Sequence, residues 1–182
     1  MIIPTLTADR FVLRAFREDD VTALAALHAD PEVMRYLRPN GAPEPNPRQA
    51  WDYMAVQMGH WLLKGYGKWA MADRATDELI GRVGYFDAPY EWPGLELGWT
   101  VSRRLWGQGY AGEAARLALD WGFETLETDE IVSAIHPKNE RSIRVAERLG
   151  EKPVRDYIMA GDAYRIYAIT RAEWHRRTAT QA

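Results

Sequence analysis

Cysteine is absent from the 182 residues. Its absence excludes disulfides, a thiol nucleophile and any Cys-ligated zinc or iron–sulfur site. Histidine is scarce as well. His28, His60, His136 and His175 lie far apart with no paired ligand spacing, so no metal is expected. A basic excess is also missing: Lys plus Arg number 23 against 26 Asp plus Glu, a net charge of -3, which argues against a nucleic-acid partner. No run approaches the ~18 apolar residues of a membrane span. The opening MIIPTLTADR has no basic stretch followed by a long apolar run, so neither a signal peptide nor a membrane partner is expected, and a cytoplasmic location is the default. Internal repeats and long low-complexity tracts are missing too.

What is present is ordinary apolar content, enough for one domain over 1–182 with a sizeable core, and a heavy load of eight Trp and nine Tyr that suits a filled core or a cleft. Residues 10–16 alternate as a strand. Glu18, Asp19 and Asp20 open an apolar run over 21–28, with acids where a helix N-terminus favours them. Asp30-Pro31 ends it, and a short turn over 32–37 follows. Residues 38–48 carry four prolines and form a loop. Trp51, Met54, Met58, Trp61 and Leu62 fall at helical spacing over 48–63, which reads as core or cleft wall together with Tyr66. The period then drops to two. Strands over 67–73, 79–86 and 95–101 should form an antiparallel meander. Helical spacing returns over 109–124, with Ala111, Ala114, Ala115, Ala118 and Trp121 on one side. A strand over 130–135, a helix over 139–149 stopped by Gly150, and strands near 153–158 and 163–170 complete the order βααβββαβαββ.

The chemistry concentrates where the third meander strand gives way to a helix: Val101-Ser-Arg-Arg-Leu-Trp-Gly107-Gln-Gly109-Tyr-Ala-Gly112. Glycines at a helix start let backbone N–H groups approach an anion, and the helix dipole adds positive potential, so this loop suits a pyrophosphate. Gly107-Gln-Gly109-Tyr-Ala-Gly112 also fits G-x-G-x-x-G, with Asp129 and Glu130 at about the distance of a ribose-binding acid. A dinucleotide-binding oxidoreductase therefore stands as an alternative, although a meander before the motif fits it poorly. A P-loop is excluded because no Gly-Lys-Ser/Thr follows.

Arg104-Leu-Trp-Gly107-Gln-Gly109 resembles the R/Q-x-x-G-x-G/A signature of the GNAT acetyltransferase superfamily. The likeness spans nearly the whole chain and is nearest to the branch of ribosomal-protein N-terminal (alanine/serine) acetyltransferases. It runs through Thr7-Ala-Asp-Arg-Phe-Val-Leu-Arg14, Gly67-Lys-Trp-Ala with Leu79-Ile-Gly-Arg-Val-Gly84, Leu95-Glu-Leu-Gly-Trp99, Gly107 to Ala114, and Asn139-Glu-Arg-Ser142 with Leu149-Gly150. The resemblance implies an α/β (α+β) GNAT fold, with a mixed, mostly antiparallel sheet of about seven strands flanked by about four helices. It implies acetyl-CoA as co-substrate and acetyl transfer to a primary amine, on a protein N-terminus or a small molecule. The branch is often dimeric, so a homodimer is an expectation from the resemblance.

Residue by residue, the resemblance puts the pyrophosphate on backbone N–H groups of 104 to 109 (Arg104, Trp106, Gly107, Gln108 and Gly109 among them), with Tyr110 and Ala111 at the helix start. The strand 97–101, including Trp99 and Val101, would pair with the pantetheine arm. Arg103 and Arg104 either add charge there or sit solvated on the surface. Trp106 either covers the coenzyme or caps the core. Asn139 would contact pantetheine or a water, or serve as a helix N-cap. Glu96 occupies the place of a base, since an ammonium must lose a proton before it attacks a thioester. In a plain alternating strand it would only face solvent. The tyrosine many relatives carry seven positions after the Asn is replaced by Ala146, which leaves the Ser142 hydroxyl as candidate donor to the departing thiolate. That missing tyrosine also keeps open a non-catalytic acyl-CoA-binding domain. Glu151 replaces a usual aromatic, at some cost in packing. His136 reads as a strand-end histidine or as one facing the cofactor cleft, and the loop 38–48 as a specificity element or a surface loop.

Overall fold

The computed structural model describes residues 2–37, 41–90, 92–159 and 161–179. Eight strands make one sheet: β1 (Leu6–Thr7), β2 (Phe11–Arg14), β3 (Lys68–Asp73), β4 (Leu79–Phe86), β5 (Glu96–Val101), β6 (Glu130–Ile135), β7 (Lys152–Met159) and β8 (Asp162–Thr170). They lie in the order β1-β2-β3-β4-β5-β6-β8-β7. Neighbours are antiparallel except β5 and β6, which run parallel. The helices are α1 (Val21–Ala29), α2 (Pro31–Met34), α3 (Pro47–Lys64), α4 (Tyr110–Thr125), α5 (Glu140–Leu149) and α6 (Arg171–Ala179). The meander of β3, β4 and β5 and the single parallel crossover are as the periodicity implied. The expected counts of strands and helices were low, because β1 is only two residues long, α2 is a four-residue helix in the segment read as a turn, and α6 lacks an apolar stripe.

Local chemistry explains the boundaries. Asn46 caps α3 by accepting from the Arg48 N–H at 2.9 Å, Pro47 occupies the first turn, and Gly65 ends the helix in the left-handed region. Helices cover both faces of the sheet, so β4 is buried along nearly its whole length. On one face Trp69, Val83, Tyr85, Leu97 and Val101 pack against Ala114, Ala115, Ala118 and Phe123 of α4. Those alanines let the helix lie close to the sheet. On the other face Ala70 and Leu79 meet Leu24, Ala25, Ala50 and Met54 of α1 and α3. Met54 and Trp61 are buried as the helical spacing implied, but Trp51, Met58 and Leu62 face outward, 52%, 39% and 68% exposed. The apolar band of α3 is wider than the sheet it covers.

Arg14 is buried between β2 and the turn before α1, where Asp20 takes it through both terminal nitrogens at 2.8 and 2.9 Å and Asp77 takes Nε at 2.9 Å. β7 is one of the two edge strands, opposite β1. It is solvent-exposed over most of its length, and its register against β8 slips between Pro153 and Arg155.

Candidate active site

β5 and β6 stay paired only where β5 begins. Glu96 stands opposite Val132, and the Val132 N–H donates to the Leu95 carbonyl at 3.0 Å. Beyond that point the two strands diverge. The Leu97 carbonyl is taken by the Ser133 hydroxyl at 2.9 Å, and the Val101 carbonyl by the Trp106 indole N–H at 2.9 Å. Leu95, Leu97 and Val101 thus turn their peptide groups toward β6. By the period of two, Trp99 does the same, with no strand partner to meet it. Of the expected pantetheine strand, the Trp99 peptide and the Val101 N–H have no partner among the described residues, and the Leu97 and Val101 carbonyls are already engaged.

At the C-terminal end of β5 the chain makes a 3₁₀ turn over Arg103–Leu105 and then adopts left-handed conformations at Gly107 (φ 76) and Gly109 (φ 86). Only glycine takes these without strain. The N–H groups of Leu105, Trp106 and Gln108 donate to carbonyls of the turn. Those of Gly107, Gly109, Tyr110 and Ala111 have no acceptor among the described residues, and a Cβ at Gly107 would meet nothing within 4 Å. The loop can therefore hold an anion, through fewer of the 104–109 amides than expected and more of the helix start. Arg103 and Arg104 bond to Asp30 and Glu78, both at 3.0 Å. Arg10 braces the loop by donating to the Gln108 carbonyl at 3.0 Å and lying over the Tyr110 ring. Trp106 packs against the α1/α3 side and under Arg141, which makes it a prop of the loop.

At the other end of β5 a cavity of about 290 Å³ opens between the sheet and α1–α3. It brings together Glu96, Trp99, Asn139 and Ser142, while Val101, Arg104, Trp106 and residues 107–111 belong to the loop end. Glu96 faces this cavity rather than solvent. Its Oε1 lies 3.9 Å, and the Lys68 Nζ 3.4 Å, from where a Cβ on Gly98 would stand, so the glycine keeps the floor open between them. Burial pushes the Glu96 carboxyl up from the ordinary range, against the pull of Lys68, the Trp92 indole and Arg82. Asn139 caps α5, its Oδ1 accepting from the Ser142 N–H at 3.3 Å. Ala146 is buried against Ile135 and Tyr167.

Sequence reading missed Lys68, Arg82 and Tyr164, which also line the cavity. Burial raises the Tyr164 phenol, aided by Asp162 and Glu96, so it stays protonated. His136 lines the cavity too, stacked on Tyr36 with ring centroids 5.0 Å apart. Tyr36 and Leu37, just before the loop 38–48, line the cavity, whereas none of 41–48 does and residues 38–40 lie outside the described residues. Glu151 is buried in the sheet interior, with Oε1 3.1 Å from the Ser133 Oγ. Its other carboxyl oxygen is buried without a hydrogen-bond partner among the described residues. Among the described residues no helix is long and apolar enough to cross a membrane, and no group of three His, Cys, Asp or Glu is disposed to hold a metal ion. A dinucleotide-binding fold is overturned by the sheet order, because the glycine loop follows an antiparallel meander.

Comparison with known proteins agrees. The Acetyltransferase (GNAT) domain family matches residues 10–152. An uncharacterized N-acetyltransferase of Bacillus licheniformis, p20, is 32% identical over 84% of this chain and 86% of its own. The crystal structure of an acetyltransferase from Agrobacterium tumefaciens superposes with a TM-score of 0.80 at 31% identity, covering 93% of this chain and 95% of that one. A ribosomal-protein-alanine acetyltransferase of Vibrio fischeri shares the fold, with a TM-score of 0.75 at 16% identity over 94% of this chain and 99% of its own.

Proposed function

The chain belongs to the GNAT acetyltransferase family, and from that premise we propose that it moves the acetyl group of acetyl-CoA directly to a primary amine, with Glu96 and Ser142 serving the proton balance. The observation that carries the reading is β5 itself. Its backbone is open toward β6 between a glycine loop with free amides at one end and a half-buried carboxylate in a cavity at the other. One strand thus joins an anion site to a proton acceptor.

In this reading the amides of Gly107, Gly109 and the start of α4 hold the pyrophosphate, and the Trp99 peptide lines the pantetheine arm. Asn139 and Ser142 stand on the α5 side of the cavity. The acceptor enters as ammonium, with a pKa of ~8 to ~10.4 according to its type. Glu96 takes the proton, directly or through water, and its raised affinity for protons suits it to that task. The amine nitrogen bonds to the acetyl carbon, the C–S bond breaks, and the second proton that the nitrogen sheds as the amide forms goes to the departing thiolate, which accepts a hydrogen bond from Ser142 as it leaves. The test is thiol release from acetyl-CoA with a panel of amines, alongside thermal shift with acetyl-CoA and NAD(P). Turnover with an amine and stabilisation by acetyl-CoA alone are expected. No turnover with any peptide N-terminus or small amine overturns the reading.

A further inference from the structure

Two arginines are buried in this chain to nearly the same depth, Arg14 at 5% and Arg82 at 7% exposure. Arg14 has every donor group occupied, with Asp20, Asp77 and two carbonyls around it. Arg82 has no such shell. Its Nε donates to the Nε2 of His28 at 3.3 Å, and its guanidinium lies over the Tyr53 ring, 4.7 Å from the centroid. Its two terminal nitrogens make no hydrogen bond, and no carboxylate oxygen lies within 4 Å of it, among the described residues. A buried guanidinium cannot shed its proton, and an unpaired buried charge is costly. The fold therefore holds open a positive fork that no acid among the described residues fills.

That fork opens into the acceptor cavity. The register pairs Arg82 with Thr100 and Phe86 with Glu96, so Arg82 and Glu96 project from the same face of the sheet, four strand positions apart. The interval is about 13 Å of backbone, which both side chains shorten. Gly98 leaves the floor between them bare. Around Arg82 the wall carries further polar atoms without partners, namely the Tyr53 hydroxyl, the Gln57 Oε1 and the Thr100 hydroxyl. Among the described residues, the Lys, Arg, Asp and Glu side chains lining the cavity are Arg82 and Lys68 against Glu96, so one cationic charge is left over there.

Resting on the acetyl-transfer reading above, we propose that Arg82 receives a carboxylate of the acceptor, so that the amine acetylated here belongs to a small amino-acid-like molecule lying between Glu96 and Arg82. The planar fork suits a carboxylate in bidentate fashion, and stacking on Tyr53 fixes its plane. The carboxylate pairs with a guanidinium that no acid meets among the described residues, while the acceptor's ammonium lies toward Glu96. A protein N-terminus, with an amide where this carboxylate should be, would leave the fork empty.

The test sets common L-amino acids against their own C-terminal amides, and against peptides, as acceptors in the thiol-release assay. The acids should exceed their amides by at least about tenfold in kcat/KM, because a site built for a polar group rejects its analogue strongly. Arg82→Gln should abolish that preference mainly through KM, and Arg82→Lys should keep part of it. Equal use of acid and amide by the unaltered protein, which needs no variant to fold, overturns the proposal. So does a preference that survives in Arg82→Gln. Calorimetric binding of the same acids to the acetyl-CoA-free protein gives a readout independent of turnover. Acids that bind while no amine turns over would remove the acetyl-transfer reading and keep the carboxylate site, whereas turnover without acid preference would do the reverse.

Discussion

Ser133 holds Glu151. The serine Oγ lies 2.9 Å from the Leu97 carbonyl and 3.1 Å from a Glu151 carboxyl oxygen, all three groups being buried. A hydroxyl has one proton. With that proton on the Leu97 carbonyl, the second contact needs a proton from Glu151. Burial pushes the Glu151 carboxyl up to about 8, so the neutral acid that can supply it is the stable form near neutrality. The pair ties β5 to β6 at the point where the strands part.

The pH dependence of stability follows. The folded chain binds the Glu151 proton more tightly than the unfolded chain, whose carboxyl has the ordinary value near 4.5. Glu151 thus favours folding fully below about pH 4.5 and loses that contribution as pH rises toward 8, because the unfolded chain ionises first. Glu151→Gln keeps the shape and a donor for Ser133 without the titration. Its urea midpoint should gain on the parent progressively between about pH 5.5 and 8.5. Parallel midpoints across that range would show Glu151 ionising normally.

Gly107→Ala places a Cβ in space that no protein atom occupies, so its cost to the coenzyme-free fold is backbone strain of about 1–2 kcal/mol. The same Cβ intrudes where an anion would meet the amides. Acetyl-CoA affinity measured by calorimetry should fall at least about tenfold, or 1.4 kcal/mol. An unchanged affinity would move the pyrophosphate elsewhere.

Glu96→Gln should lower kcat/KM at pH 7 by ~10²–10⁴-fold, the usual worth of a positioned base. Because burial raises the Glu96 carboxyl, the rising limb of the parent's pH–rate profile should lie above the ordinary carboxylate range. The variant's deficit should shrink at high pH, where free amine is abundant. A loss of equal size at every pH would make Glu96 an orienting group.

Ser142→Ala should reduce kcat by ~10²-fold, as loss of a transition-state donor does, with acetyl-CoA affinity nearly unchanged. A kcat within about twofold of the parent would confine Ser142 to the first turn of α5. The Tyr164 phenol, held protonated in the same cavity, would then be the remaining donor.

The crossover and its glycines were legible because their signals are local: a strand period, Gly107 and Gly109 at a helix start, and alanines on one face. Glu96 and Ser142 came from the family resemblance alone; no local periodicity or spacing singles them out. Arg82 was not legible. An arginine between Gly81 and Val83 reads as an ordinary outward-facing strand residue, and its burial arises only when His28 of α1 and Tyr53 of α3 close over it. The same long-range closure decides which apolar residues of α3 are covered, and helical spacing alone does not separate Met54 from Met58. The Ser133 contact of Glu151 was not legible either, because only the fold brings that hydroxyl of β6 beside the residue that precedes β7.

β7 leaves one rim of the sheet unpaired, and such a rim invites a strand from another molecule to add itself. This one is a poor template. Pro153 offers no N–H there, the slip between Pro153 and Arg155 breaks a straight ladder, and Lys152, Arg155 and Asp156 put charge of both signs along it. Val154 and Ile158 face water at 51% and 66% exposure, so those obstacles guard an otherwise adhesive strand. Resistance to aggregation is thus written into the same hairpin whose other strand carries Tyr164 into the cavity.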